Sequence, residues 1–304
     1  MRKRRRAIAF YLFISPWLLG FVLLSIVPLV VGLWMSMTNY NGLNWDTLSF
    51  QGFNNYAKAL QDPEVLFAFG RTVGWTLINV PLWLVTSFGL ALLMNQSIRA
   101  RGVLRTLLYL PSVIPPVGIA WIWKIILERN YGLLNGFIDL FIPGSATYWL
   151  GPDHALVSLS VIACWTGLGS GMVIFLAGLQ NIPAELEEAA RIDGANAWGV
   201  FRYVTLPMMS PIILFQVILG LIGAFQAFAV PVLMYGGGGM GVTVTRSVRL
   251  YMIHTYQEIF VNQRFGYGAA LLWLLFIFIL VVTAVVFKTS RYWVYEEANP
   301  AGGA

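Results

Sequence analysis

The charged residues of this chain are confined to short clusters, and that confinement limits its possible folds more than any other feature. No Asp, Glu, Lys or Arg occurs in residues 7–45, 72–98, 106–123, 155–184, 203–245 or 265–287. Each stretch supplies the roughly 17–25 residues that an α-helix needs to cross a hydrocarbon core. A soluble domain must spread charge over its surface. Here charged residues are only 11% of 304 and apolar residues 58%, against about 25% and 45–50% in soluble proteins. Soluble globules and disordered chains are thereby excluded. The expected fold is an all-α polytopic membrane protein with six spans, near 9–36, 72–95, 104–127, 155–179, 207–234 and 267–287.

The basic residues orient these spans. With both termini in the cytoplasm, the inner side holds Arg2, Lys3, Arg4, Arg5, Arg6, Arg99, Arg101, Arg105, Arg191, Arg202, Lys288 and Arg291, which is 12 of the 19 Lys and Arg. The inner segments are also the shorter ones, as the positive-inside rule expects. The run Arg2–Arg6 precedes an apolar segment directly, so it reads as a topology signal and not as a nucleic-acid site. That segment exceeds the 7–15 apolar residues of a signal peptide and carries no small-residue cleavage site, which implies a retained first span. A single cysteine, Cys164, cannot form an intramolecular disulfide.

Three outer segments remain. Residues 37–70 are rich in Asn, Gly and aromatics, with a turn signal at Asp62-Pro63. Residues 128–154 carry Pro143-Gly144 and Gly151-Pro152, with a short interfacial helix expected around Leu133–Phe141. Residues 235–264 open on Gly236–Gly239, too flexible for a helix. Twelve Trp and 13 Tyr suit interfacial belts.

The least ordinary segment is cytoplasmic: QNIPAELEEAARIDGANAWGVFRYVTLP, residues 180–207. Pro183 suits a first helical turn, and Glu185, Glu187 and Glu188 then lie near the positive end of the helix dipole. Asp193-Gly194 ends the helix, with a positive φ expected at Gly194. A second short helix is expected over about Ala195–Tyr203, running into Leu206-Pro207 and the fifth span. From the residues alone this is equally a solvated connection.

Glu188-Ala189-Ala190, Asp193-Gly194-Ala195, Phe201, Leu206-Pro207 and Pro211 resemble the EAA loop of binding-protein-dependent ABC importers, in particular carbohydrate permeases of the maltose and glycerol-phosphate type. Residues Phe50–Tyr56 with Asp62-Pro63 resemble that family's first outer loop. Leu110-Pro111 through Pro115-Pro116 and Trp123 resemble its third span, and Gly132–Asn135 the segment after it. The resemblance implies a transmembrane domain over 9–291 in a bacterial or archaeal plasma membrane, flanked by a basic cytoplasmic N-terminus (1–8) and a cytoplasmic tail (292–304). It implies a coupling loop at 180–207, with Glu188, Ala189, Ala190, Asp193, Gly194, Ala195, Leu206 and Pro207 engaging a separate ATPase. The implied partners are a second related permease, two ATPase subunits that hold ATP and Mg, an extracytoplasmic binding protein and membrane lipid. The residues agree on one point: no Lys stands in a G-x-x-x-x-G-K-[ST] phosphate loop, so this chain is not its own motor and binds no cofactor.

Carried over residue by residue, the resemblance implies a sugar path through Ser112 and Pro116 of the third span, and Ala163, Thr166, Gly167 and Ser170 of the fourth. In the fifth it implies Gly220, Ala224 and Ala227, with Gln226 beside them. Ser112, Thr166, Ser170 and Gln226 are expected to face one water-filled cavity. Several of these positions are smaller than in the maltose-type pattern, which implies a different sugar or a wider cavity. Packing competes with this reading: Gly167 and Gly171 also form a GxxxG pair, and Thr166 and Ser170 can bond their own backbone. Trp165 can stack on a sugar, whereas Trp121 and Trp123 suit the belt. An ion-coupled carrier needs ionisable residues within the spans, and a serine hydrolase needs a base beside Ser170; neither is present. A glycerol-phosphate substrate calls for Arg or Lys in the path, so a neutral sugar ranks above it.

Overall fold

The computed structural model describes residues 2–46, 48–236 and 244–295, and no side chain before Phe10. Of the glycine run at 236–239 only Gly236 is among them, and residues 296–304 of the tail lie outside them. The regular structure among the described residues is helical, apart from one isolated antiparallel bridge between Thr38 and Phe50. The helices are α1 (Arg2–Phe21), α2 (Val27–Ser36), α3 (Asn54–Gln61), α4 (Pro63–Asn95), α5 (Arg101–Tyr109), α6 (Pro116–Ile126) and α7 (Leu133–Asp139). They continue with α8 (Ala155–Gln180), α9 (Ala184–Ile192), α10 (Ala197–Val200), α11 (Leu206–Phe225), α12 (Ala229–Tyr235), α13 (Tyr251–Tyr256) and α14 (Phe265–Ser290). Five stretches are long and apolar enough to cross a membrane: 10–36, 63–95, 155–180, 197–235 and 265–290.

The third expected span differs from a straight helix over 104–127. Residues Arg101–Val113 and Pro116–Ile126 form two arms bent by 101°. Pro115 and Pro116 offer no backbone N–H, and a residue before proline is driven out of the helical region. Accordingly Ile114 has ψ 129° and Pro115 ψ 146°. Eleven residues of α6 rise only about 16 Å, so the pair crosses as one broken span or not at all. The fifth span also differs. It begins at Ala197 within the 180–207 segment, continues through a π-helical turn at Phe201–Thr205 into α11, and breaks after Phe225 before α12.

The chain divides into two compact units, Met1–Leu66 with His254–Ile277, and Phe67–Ile253 with Phe278–Ala304. In the first unit, the Asn55 Nδ2 donates to the carbonyls of Ser36 (2.9 Å) and Thr38 (2.8 Å), stapling α3 to the end of α2. The large apolar side chains of the first span stay exposed, as a lipid-facing helix permits. In the second unit, Ala91, Met94, Met172, Phe175, Leu176, Leu179 and Met209 form a buried core from α4, α8 and α11. The segment 128–154 closes on buried Asn135. Its Nδ2 donates to the carbonyls of Arg129 (2.9 Å) and Thr147 (2.8 Å), and its Oδ1 accepts from Trp149 Nε1 (2.7 Å).

Candidate functional site

Two features of the second unit stand out: a helix pair in the 180–207 segment, and a cavity between the long helices on either side of it. Helix α9 follows Pro183 and carries Glu185 and Glu187 in its first turn and Arg191 in its last, the charge order that suits the helix dipole. Arg191 pairs with Glu187 at 3.7 Å on the exposed surface, a contact of little energetic weight. The helix ends in a Schellman arrangement. The Gly194 N–H donates to the Arg191 carbonyl (3.1 Å) and the Ala195 N–H to the Ala190 carbonyl (2.9 Å), which satisfies carbonyls that a helix end leaves open. Gly194 adopts φ +89°, the sign expected at this turn.

The second helix starts two residues later than expected. Asn196 caps it, its Oδ1 accepting the Gly199 N–H at 2.8 Å, and capping fixes the first helical residue as Ala197. No residue of α9 is buried, and Leu186, Ile192, Trp198 and Tyr203 remain exposed. Glu188, Ala189, Asp193 and Gly194 are exposed, Ala190 and Ala195 half-buried, and Leu206 and Pro207 half-buried at the foot of α11. The pair therefore presents apolar side chains outward from a surface otherwise polar.

The cavity, about 460 Å³, lies among α4, α8 and α11. Helix α4 contributes Trp75, Asn79 and Trp83, which recur every fourth residue and so share one face. Helix α8 contributes Ala163, Gly167 and Ser170, and α11 contributes Gln216, Gly220 and Ala224, again a four-residue repeat. No charged side chain is among the lining residues. Asn79 donates to the Ser160 carbonyl at 3.3 Å.

Five of the ten path residues expected from the sequence thus meet here: Ala163, Gly167, Ser170, Gly220 and Ala224. The other five do not. Ser112 sits in the tight turn before the proline bend and donates to the Tyr109 carbonyl (2.7 Å), and Pro116 opens α6 on the exposed surface. Thr166 lies one residue, about 100°, off the lining face and donates to the Ala163 carbonyl (2.9 Å). Gln226 and Ala227 follow the end of α11, with Gln226 exposed. The amide inside the fifth span is Gln216, ten residues earlier and 1% exposed. Of Ser112, Thr166, Ser170 and Gln226, only Ser170 lines this cavity. Trp165 meets Trp123 edge-on at 5.6 Å, and neither lines the cavity.

The described residues thus combine long apolar helices, an uncharged cavity among α4, α8 and α11, and an exposed helix pair. Residues 84–295 match the family model described as "Binding-protein-dependent transport system inner membrane component", and the chain belongs to that family as a multi-pass permease subunit. It is 33% identical over 299 residues to the probable ABC transporter permease protein YesP of Bacillus subtilis (strain 168), covering 97% of this chain and 94% of the relative. It is 30% identical over 292 residues to the trehalose/maltose transport system permease protein MalF of Thermococcus litoralis (strain ATCC 51850 / DSM 5473 / JCM 8560 / NS-C), covering 95% and 96%. Its fold matches that of a chain in the crystal structure of a bacterial ABC transporter involved in the import of the acidic polysaccharide alginate, with a TM-score of 0.82 at 21% identity over 95% of this chain and 97% of the other.

Proposed function

We propose that this chain is the permease through which an ATP-driven importer moves a sugar or oligosaccharide across the plasma membrane, with both termini in the cytoplasm. One observation carries the reading. The helix–turn–helix of α9 and α10, with its EAA-type residues, is continuous with the two helices, α8 and α11, that line the uncharged cavity. A pull on that pair is therefore a pull on the cavity walls. The exposed Leu186, Ile192 and Trp198 suit a cleft on an ATPase subunit, with Glu188, Ala189, Ala190, Asp193, Gly194 and Ala195 in the contact and Leu206-Pro207 at its base. ATP and Mg belong to two such ATPase subunits, and this chain binds neither.

One helix pair engages one ATPase, so a second, related permease completes the path. An extracytoplasmic binding protein delivers the sugar, in keeping with the family description and with the neighbour crystallised with an alginate pentasaccharide-bound periplasmic protein. Relatives named for trehalose/maltose and arabinooligosaccharides support an oligosaccharide, and the uncharged lining supports a neutral one over a phosphorylated polyol. Proteoliposomes holding the four-part complex and the binding protein test this. ATP-dependent uptake of a neutral oligosaccharide is expected, whereas uptake driven by an ion gradient without ATP overturns it.

A further inference from the structure

At the foot of α11, beside the α9–α10 pair, one cleft changes character along its length. It occupies about 320 Å³ and is lined by Arg202, Leu206, Pro207, Ser210, Ile213 and Trp293. Arg202, Leu206, Ser210 and Ile213 are spaced by four, four and three residues along one helical run, the spacing of a single stripe. From Arg202 to Ile213 that stripe rises about 16 Å, most of the roughly 20 Å that one leaflet spans with its headgroups. A cation stands at one end and aliphatic side chains at the other.

The opposite wall is the segment after α14. The Tyr295 N–H donates to the Ser210 Oγ at 2.7 Å, and that hydroxyl donates to the Pro207 carbonyl at 2.6 Å. Ser210 is thus engaged in both directions, and the contact brings Trp293 to the cleft. Trp293 stays 42% exposed, an amphipathic ring of the kind that sits at headgroup level. Arg202 is exposed, with its guanidinium 6.0 Å from the centre of the Tyr203 ring. It pairs with no carboxylate among the described residues.

A cationic end, a satisfied middle and an apolar end match an amphiphile with its head at Arg202. The guanidinium fork suits a phosphate, which it can bond twice. A zwitterionic headgroup also carries a phosphate, but its ammonium then needs an acceptor. No acidic side chain is among the described lining residues. A free phosphate would use Arg202 and leave the surface of Leu206, Ile213 and Trp293 uncovered.

We propose that this cleft holds one anionic phospholipid, its phosphodiester on Arg202 and the upper part of an acyl chain between Leu206, Ile213 and Trp293. On the orientation proposed above, the lipid belongs to the cytoplasmic leaflet. Arg202 lies in the π-helical turn that joins α10 to α11, so the lipid sits where the helix pair meets the fifth span.

The test uses the assembled complex in nanodiscs of phosphatidylcholine doped with phosphatidylglycerol that carries a diazirine on its upper acyl carbons. Crosslinked peptides are mapped by mass spectrometry with neither ATP nor sugar present, so the outcome does not depend on sugar uptake. Labelling is expected within residues 202–213 and 291–295. Unlabelled phosphatidylglycerol should compete about 5-fold better than phosphatidylcholine, the effect of one basic residue at an anionic headgroup. Arg202→Gln should abolish that preference and Arg202→Lys keep part of it. Trp293→Ala should lower the labelling and leave the preference. Because co-purification with the partner subunits is checked for each variant, either Arg202→Gln or Trp293→Ala decides the matter if the other fails to assemble. Equal competition by the two lipids, or a preference untouched in Arg202→Gln, overturns the anionic lipid. Suppression by inorganic phosphate overturns it in favour of a free phosphate. Labelling found only in permease purified without its ATPases overturns it in favour of a seat for those subunits. A several-fold gain in labelling on joint Glu296→Gln and Glu297→Gln replacement gives Arg202 to the chain's own tail in place of lipid.

Discussion

The indole N–H of Trp83 donates to the backbone carbonyl of Gly167 at 2.9 Å, and the hydroxyl of Ser170 donates to the same oxygen at 3.0 Å. The contact joins α4 to α8 beside the cavity. It also gives the Gly167/Gly171 pair its purpose. A Cβ on Gly167 would lie 2.7 Å from the Trp83 Nε1, and one on Gly171 would lie 2.7 Å from the Ser87 Oγ and 3.0 Å from the Trp83 ring. Close packing of α8 on α4, the competing reading of these glycines, is what the geometry requires.

Gly171→Leu should therefore overpack this seam and destabilise the protein by about 1–3 kcal/mol. Gly74→Ala is the matched control. A Cβ there meets nothing within 4 Å, so the helical preference of alanine should stabilise by about 0.5–1 kcal/mol. Thermal unfolding in detergent, followed by tryptophan fluorescence, reads both. Equal midpoints for the two variants would remove the packing account.

At Gly194 the strain is in the backbone alone, because φ is +89° while a Cβ would meet nothing within 4 Å. A left-handed conformation costs an ordinary residue about 1–2 kcal/mol, and asparagine tolerates it better. Substrate-stimulated ATP hydrolysis by the assembled complex should fall in the order Asn, Ala, Val at this position. Glu188→Lys, at an exposed site, should abolish the stimulation while the subunit still inserts in the membrane. Full stimulation in Glu188→Lys and in Gly194→Val would remove the coupling role from this turn.

The spans were legible because hydrophobicity sums over a whole helix. The expected 155–179 and 267–287 became Ala155–Gln180 and Phe265–Ser290. The bend between α5 and α6 was not legible from charge-free length, since Pro115 and Pro116 are apolar and break the helix through their missing N–H groups and the extended backbone they impose on the residue before them. In the cavity, Gln216 and Gln226 look alike in a charge-free run. Only Gln216 stands four and eight residues before Gly220 and Ala224, and that spacing was the available signal. The Trp75, Asn79 and Trp83 repeat has the same four-residue spacing in the sequence.

Asn135 tests how the outer segment is held. Its amide satisfies three carbonyls and one indole N–H, and the residue is 6% exposed. Asn135→Leu leaves those groups buried and unpaired, at about 1–3 kcal/mol for each one not re-solvated. Faster proteolysis within residues 128–154 is expected, with α8 protected. An unchanged cleavage rate would mean that water replaces the amide fully.

Phe201 connects the α9–α10 pair to the core. Its ring lies 5.4 Å from that of Trp198 and 6.2 Å from that of Phe88. Phe88 in turn lies 5.1 Å from Phe175, which is 1% exposed at the centre of the buried cluster. Three rings in sequence thus link the helix pair to α4 and α8. Aromatic pairs contribute about 0.5–1.5 kcal/mol beyond their buried area. Phe201→Ala should accordingly lower substrate-stimulated ATP hydrolysis about 2- to 13-fold while the ATPase still co-purifies, and Phe201→Leu, which keeps most of the apolar contact, should restore much of it. Trp198 supplies the contrast. It is 68% exposed, so Trp198→Ala removes surface from the side that faces a partner, and the expected loss is of ATPase binding itself. If Phe201→Ala instead loses the ATPase, or Trp198→Ala keeps it at full affinity, the ring series does not transmit the motion.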